Sequence, residues 1–167
     1  MAKLSFLAKL RKERKLELVE LSEEMKLAYI QKSESNIASA KILLSNNKLE
    51  ESVALAYYSM YHFVTALFFK AGIKSENHTA SIILLKDIFE IDNQEISFAK
   101  KERLDKQYYV NFRITKEEVI ESIKKAEIFN SIINDFISKL TNEAIIKARE
   151  RFDILTKLTD GTYAIID

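Results

Sequence analysis

The stretch ALAYYSMYHFVTALFFKAGI, residues 54–73, decides the fold of this chain. From Val53 to Phe69 it is apolar nearly all round, so as a helix it has no face to offer to water. A helix of that kind is either the centre of a bundle or buried in an oligomer interface. Gly72 stands where a left-handed residue ends a helix, which predicts a helix over residues 49–71.

Working outward, a helix is predicted from Ser22 to Ser45, capped by Ser22 with Glu23 and Glu24 in its first turn. Its expected buried stripe is Met25, Ala28, Tyr29, Ala38, Ile42 and Leu43, and Asn46-Asn47 marks the turn after it. Upstream, residues 3–20 read as one amphipathic helix, with six Lys or Arg against one Glu between residues 3 and 15. It is either a solvated packing helix or a basic arm that touches nucleic acid or a partner. Downstream, Lys74 to Asn77 reads as a polar loop, and a helix over 78–89 carries Ile82, Ile83, Leu84, Leu85, Ile88 and Phe89 inward. After a loop over 90–94, residues 95–108 form a weaker helix with Ile96, Phe98 and Leu104 inward. Residues 109–114 look extended or irregular. Thr115 with Glu118 makes a capping box that starts a long helix, broken at Leu140-Thr141-Asn142 and followed by a last helix to about residue 158 and a tail.

Composition agrees with this pattern. The 167 residues contain no proline and two glycines, too few turn formers for a β-rich domain. The expected fold class is all-α, an up-and-down helical bundle with extra N- and C-terminal helices. Residues 1–21 form the basic N-terminal helix, 22–140 the bundle, and 141–167 the C-terminal helix and tail. With no cysteine, disulfides and thiolate chemistry are excluded, and two histidines without metal-ligand spacing predict no metal and no cofactor. A formal net charge of +1 supplies no global field for nucleic acid or membrane, so any such binding needs a local patch. No apolar run approaching the length of a membrane span is read, and no signal peptide, so the expected location is cytoplasmic.

Several pieces in order resemble the HEPN domain family of small prokaryotic proteins. They are YYSMYHFVTALFFKAGI over 57–73, NHTASIILLKDIF over 77–89, RLDKQYY over 103–109 and the capped helix in NFRITKEEVIESIKKAEIF over 111–129. The resemblance covers roughly residues 24–140. It implies a four- to five-helix core, often dimeric. It further implies one of three functions: an RNase, frequently a toxin, that uses an Arg-x4-6-His motif built from two subunits, the partner of a minimal nucleotidyltransferase, or a nucleotide-binding protein.

The motif is incomplete in this chain. RNA cleavage needs a group to handle the 2′-hydroxyl proton, for which histidine is suited, and a cation to stabilise the charged phosphorane, for which arginine is suited. Arg103 occupies the family position and is the one candidate for a catalytic role. The histidine would fall at 108, 109 or 110, where the chain has Tyr108, Tyr109 and Val110. Tyrosine, with an ordinary pKa near 10, is a poor proton shuttle at neutral pH. The expectation therefore leans away from an enzyme.

The candidate ligand-binding residues are Tyr58, His62, His78, Arg103 and Tyr108. Arg103 is either an ion-paired helix residue or an anion ligand facing a groove. His62 is either a satisfied core histidine or, with Tyr58, Tyr61 and Thr65 at helical spacing, part of a polar stripe lining that groove. His78 either caps its helix or contacts a loop, or it helps hold a phosphate at a helix start. Tyr108 and Tyr109 either pack with tethered hydroxyls or accept a modification from a nucleotidyltransferase partner. Three functions stay open: a nucleotide- or RNA-binding half of a toxin–antitoxin-like or nucleotidyltransferase-paired system, a weakly active ribonuclease toxin, and a dimeric helical adaptor without ligand. A homodimer is expected because Tyr57, Tyr58, Tyr61, Phe63, Phe68 and Phe69 are too many aromatics for one helix to bury within its own chain.

Overall fold

The structure is a computed structural model that describes residues 2–108 and 113–157, and of residues 105–108 the backbone alone. Its elements run α1 (Ala2–Lys12), β1 (Leu16–Leu18), α2 (Glu23–Ser45), α3 (Leu49–Lys70), β2 (Ile73–Ser75), α4 (His78–Phe89), α5 (Gln94–Tyr108), α6 (Lys116–Lys139) and α7 (Asn142–Thr156). Helix α3 is the axis: α2, α4, α5 and α6 all pack on it. Tyr57, Met60, Val64, Leu67 and Phe68 are each within 2% of full burial. Each large apolar side chain so enclosed stabilises the fold by roughly 1.5–3 kcal/mol. On length and composition alone α3 could cross a membrane, which corrects the expectation that no run approaches that length; two-thirds of its most apolar window is buried inside the bundle, as in a core helix.

The caps follow the sequence. Ser22 accepts from the Met25 amide at 3.1 Å, Asn77 from the Ala80 amide at 3.0 Å, and Thr141 from the Ala144 amide at 3.2 Å. Thr115 and Glu118 form the reciprocal capping box of α6. Helices α1, α2 and α4 are followed by left-handed residues, Arg14, Asn47 and Glu90.

Two short elements correct the expected pattern. Residues 16–18 are a strand, because the left-handed turn at Arg14 ends α1 and lays Leu16 against the segment after α3. Residues 73–75, expected as loop, are the strand that pairs with it: Leu16 opposes Ser75, Glu17 opposes Lys74 and Leu18 opposes Ile73, antiparallel. The fold is otherwise helical. The N- and C-terminal segments share the bundle's core, since Leu7, Leu16 and Phe152 belong to the same buried cluster as α3. The basic N-terminal helix is a packing element. Arg11 donates to the Thr156 hydroxyl at 2.7 Å, pairs with Asp153 at 2.7 Å and lies over the Phe152 ring.

Helix α2 does not bury the expected stripe. Met25, Ala28, Ala38 and Ile42 face outward, and the inward row is Tyr29, Ile30, Ser33, Ile37, Ala40 and Leu44. Small residues hold the closest approach to α3: Ser33 and Ser59 are both fully buried, with hydroxyls 2.8 Å apart. Asn130 of α6 donates to Ser59 at 2.7 Å and to Ser33 at 3.3 Å, tying three helices at one buried polar point. Phe98 is also outward, 55% exposed, because it lies about 200° round α5 from the buried Ile96. Ile120, Ile128 and Ile132 stand on the outer side of α6.

Gly72 carries the sharpest backbone constraint. Its φ is +68°, and a Cβ there would lie 2.0 Å from Arg149 Nη1 and 2.7 Å from the Val19 carbonyl oxygen. Arg149 of α7 donates to the carbonyls of Val19, Gly72 and Ala71 at 2.9, 2.7 and 3.3 Å, sealing the junction of β1, α3 and β2. Gly72→Ala is expected to destabilise the protein by about 2–4 kcal/mol through left-handed strain and a displaced arginine, measured by urea unfolding. A loss below about 0.5 kcal/mol, the range of a neutral surface change, would contradict this account of the junction.

Candidate functional site

Four of the five sequence candidates meet on one side of α3. Tyr57, Tyr58, Tyr61 and His62 lie one turn apart, and on this side α3 faces α2, the start of α4 and α5. His78, the first residue of α4, stacks on Tyr61 with ring centroids 3.7 Å apart. Its Nδ1 lies 2.6 Å from the Tyr57 hydroxyl. Arg103 of α5 lies over two of the same rings, 4.9 Å from the Tyr58 centroid and 5.6 Å from that of Tyr57. His62 stacks on Tyr58, 6.2 Å between centroids, and its Nδ1 lies 3.0 Å from the Asn36 amide nitrogen.

One of these bonds sets a histidine tautomer. An amide nitrogen only donates, so His62 Nδ1 accepts from Asn36 and the neutral ring carries its proton on Nε2. The Tyr57 hydroxyl can donate or accept, so its bond to His78 Nδ1 is compatible with either tautomer of that ring. Each neutral ring offers one N–H donor. Burial pushes His62 down to about 4, with Lys32 and then His78 adding to the shift. Burial likewise pushes His78 to about 4, helped by Arg103 and Lys100. Burial raises the Tyr57 hydroxyl, while Arg103 opposes that shift. Lys100 is lowered by burial and then by Arg103. The cluster therefore gathers cations that repel one another, a layout in which an incoming anion relieves electrostatic cost.

Sequence reasoning missed Asn36, Lys32, Tyr29 and Lys100. Tyr29 lies beside His62, 5.7 Å between centroids, stacks on Phe69 at 5.6 Å and has the Lys32 ammonium 5.7 Å from its ring. Tyr29, Lys32 and Asn36 are spaced to share one face of α2, and Lys100 is one turn before Arg103; those spacings were legible, but nothing in them tells which face meets α3. Thr65 is not part of the cluster's donor set, since its hydroxyl donates to the Tyr61 carbonyl of its own helix. His78 does not cap α4; Asn77 does. Tyr108 ends α5, and its side chain, with Tyr109 and Val110, lies outside the described residues. Among the described residues no three His, Asp or Glu side chains converge as a metal site.

The aromatics of α3 are covered largely within the chain. Tyr57, Phe63 and Phe68 are buried, and Tyr58, Tyr61 and Phe69 are half-buried. The aromatic crowding of α3 therefore gives no reason to invoke a second copy.

The HEPN domain family model matches residues 27–136, two-thirds of the chain. This chain belongs to the HEPN domain family. The match takes in every cluster residue named above, from Tyr29 to Arg103. A relative in Methanocaldococcus jannaschii named "Putative toxin MJ0605" is 28% identical over 109 residues, covering 61% of this chain and 81% of that protein. The UPF0332 protein PH1297 of Pyrococcus horikoshii is 41% identical over 54 residues, 32% of this chain and 38% of that protein. This HEPN chain is thus similar to a toxin-named protein along most of that protein's length.

The two depressed histidines make stability pH-dependent with a defined sign. Unfolded histidine titrates near 6.5, and these two titrate near 4 when folded, so between those values the unfolded chain binds more protons. Their contribution is present above pH 6.5 and is lost as pH falls toward 4. The thermal midpoint is expected to drop between pH 7 and pH 5, and His62→Gln with His78→Gln together to flatten that drop. An unchanged slope in the double variant would show that these rings stay solvated.

Proposed function

We propose that this HEPN protein binds a nucleotide or RNA at the Tyr57–Tyr58–His62–His78–Arg103 cluster and acts as one half of a toxin–antitoxin-like or nucleotidyltransferase-paired system. The observation that supports the binding role most directly is the placement of Arg103 over the Tyr57 and Tyr58 rings beside His78. A guanidinium held over aromatic faces keeps its hydrogen-bonding fork oriented for phosphate, and the half-buried Tyr58 ring is a surface on which a base can stack. Two neutral histidines contribute N–H donors without the cost of burying further charge. Phosphate arrival would favour their protonation and tighten the complex.

The chemistry for cleavage is weaker than the chemistry for binding. The motif histidine is replaced by Tyr108, Tyr109 or Val110, and the two histidines in the cluster are held far below the pKa of an effective shuttle at neutral pH. A ribonuclease toxin is the second reading, favoured by the name of the Methanocaldococcus jannaschii relative. Pairing with an antitoxin or nucleotidyltransferase rests on family membership. A homodimer, implied by the family resemblance rather than by the aromatics of α3, belongs to the same proposal, as does a cytoplasmic location.

Fluorescence anisotropy with a labelled RNA oligonucleotide tests the binding role. Arg103→Ala is expected to weaken binding about tenfold, the size of one charge-assisted phosphate contact, and to lessen its salt dependence. No RNA turnover is expected in the same samples. Turnover that Arg103→Ala abolishes would replace this reading with the ribonuclease one, and the absence of RNA or nucleotide binding would favour a plain helical adaptor.

A further inference from the structure

A groove of about 400 Å³ runs between α4 and α5, lined by Thr79, Ile82, Ile83, Asn93, Ser97, Lys100, Lys101 and Leu104. Its volume falls in the range that holds a small organic ligand. Ile82, Ile83 and Leu104 supply an apolar surface, and Asn93 and Ser97 supply polar groups. The Asn93 amide nitrogen donates to the Ile82 carbonyl at 2.8 Å, which leaves the amide oxygen as the acceptor of that side chain. Among its described lining residues there are two lysines and no carboxylate. Two other open grooves differ: the one at Ile91 and Ile128 includes Asp92 and Glu95, and the one at Asn47 and Arg113 includes Glu50 and Glu51.

Lys100 joins this groove to the aromatic cluster. It lines the groove, donates to the Thr79 hydroxyl next to His78, and with Arg103 lowers the pKa of His78. An anion drawn to Lys100, Arg103 and His78 would therefore sit at the mouth of a cavity with an apolar surface and hydrogen-bonding groups. That combination fits a phosphate attached to a flat heterocycle better than it fits a bare phosphate or an acidic peptide.

We propose that the α4–α5 groove receives the base and sugar of a nucleotide whose phosphate lies on Lys100, Arg103 and His78. This rests on the binding role proposed above and adds the position of the nucleoside. The nucleotide is either free or one unit of an RNA strand, since both present the same groups to the groove. Lys101 is an exposed lining residue of the groove, and Ser97 is the position from which a larger side chain would fill the cavity.

Titration calorimetry with adenosine 5′-monophosphate, inorganic phosphate and a short oligoadenylate tests the proposal. Ser97 is exposed, so Ser97→Trp fills the groove without disturbing the core, and Lys101→Glu changes the charge of the rim without adding bulk. Both are expected to weaken nucleotide binding by about tenfold, with phosphate binding by Ser97→Trp unchanged. Arg103→Ala is expected to weaken phosphate and nucleotide alike. A response of the oligoadenylate alone assigns the groove to a unit of an RNA strand, and a response of both assigns it to free nucleotides as well. Wild-type affinity for both nucleotide probes in Ser97→Trp and Lys101→Glu, with a loss in Arg103→Ala, would overturn the groove assignment and leave the binding role standing. Binding of none of the three probes by the wild-type protein would overturn both.

Discussion

Enclosure of α3 is the constraint from which the rest of the architecture follows. A helix apolar around its circumference must be surrounded, and here α2, α4, α5 and α6 surround it. Where α2 comes closest, only small side chains fit, which is why its most buried positions are Ser33 and Ala40. The Ser33–Ser59–Asn130 contact then becomes necessary, because hydroxyls buried at that seam need partners. At the other end of α3, the left-handed Gly72 turns the chain back as β2, and Arg149 donates to the carbonyls of Ala71 and Gly72 in that turn and of Val19 beside it.

The candidate site lies where this enclosure is incomplete. Tyr57 is buried, but its hydroxyl needs a partner, and His78 provides it from the first turn of α4. Tyr58, Tyr61 and His62 are half covered by α2 and α5, which bring Lys32, Asn36, Lys100 and Arg103 to the same edge. The histidines are neutral because partial burial and nearby cations both oppose a further positive charge.

Helix starts were legible because caps are local. Ser22 and Thr115 act through bonds to amides three residues on, so the sequence around each suffices. The inward faces of α2 and α5 were less legible. In α2 apolar residues lie on both sides, and the side with serine and alanine is the buried one, a choice made by the distance to α3 rather than by hydrophobicity. The two strands escaped notice because three residues are too few for a period, and their pairing spans more than fifty positions of chain.

By itself the sequence determined a helical bundle built on residues 49–71, the kinship with HEPN proteins and the absence of a histidine from positions 108 to 110, since each depends on residue identity and short-range spacing. Only the tertiary structure decided that Tyr57 and His78 share a hydrogen bond, that Arg103 covers Tyr57 and Tyr58, and that Lys100 links this cluster to a second groove. Those relations join separate helices, and the angle at which one helix presents a side chain to another follows from the packing of the whole core.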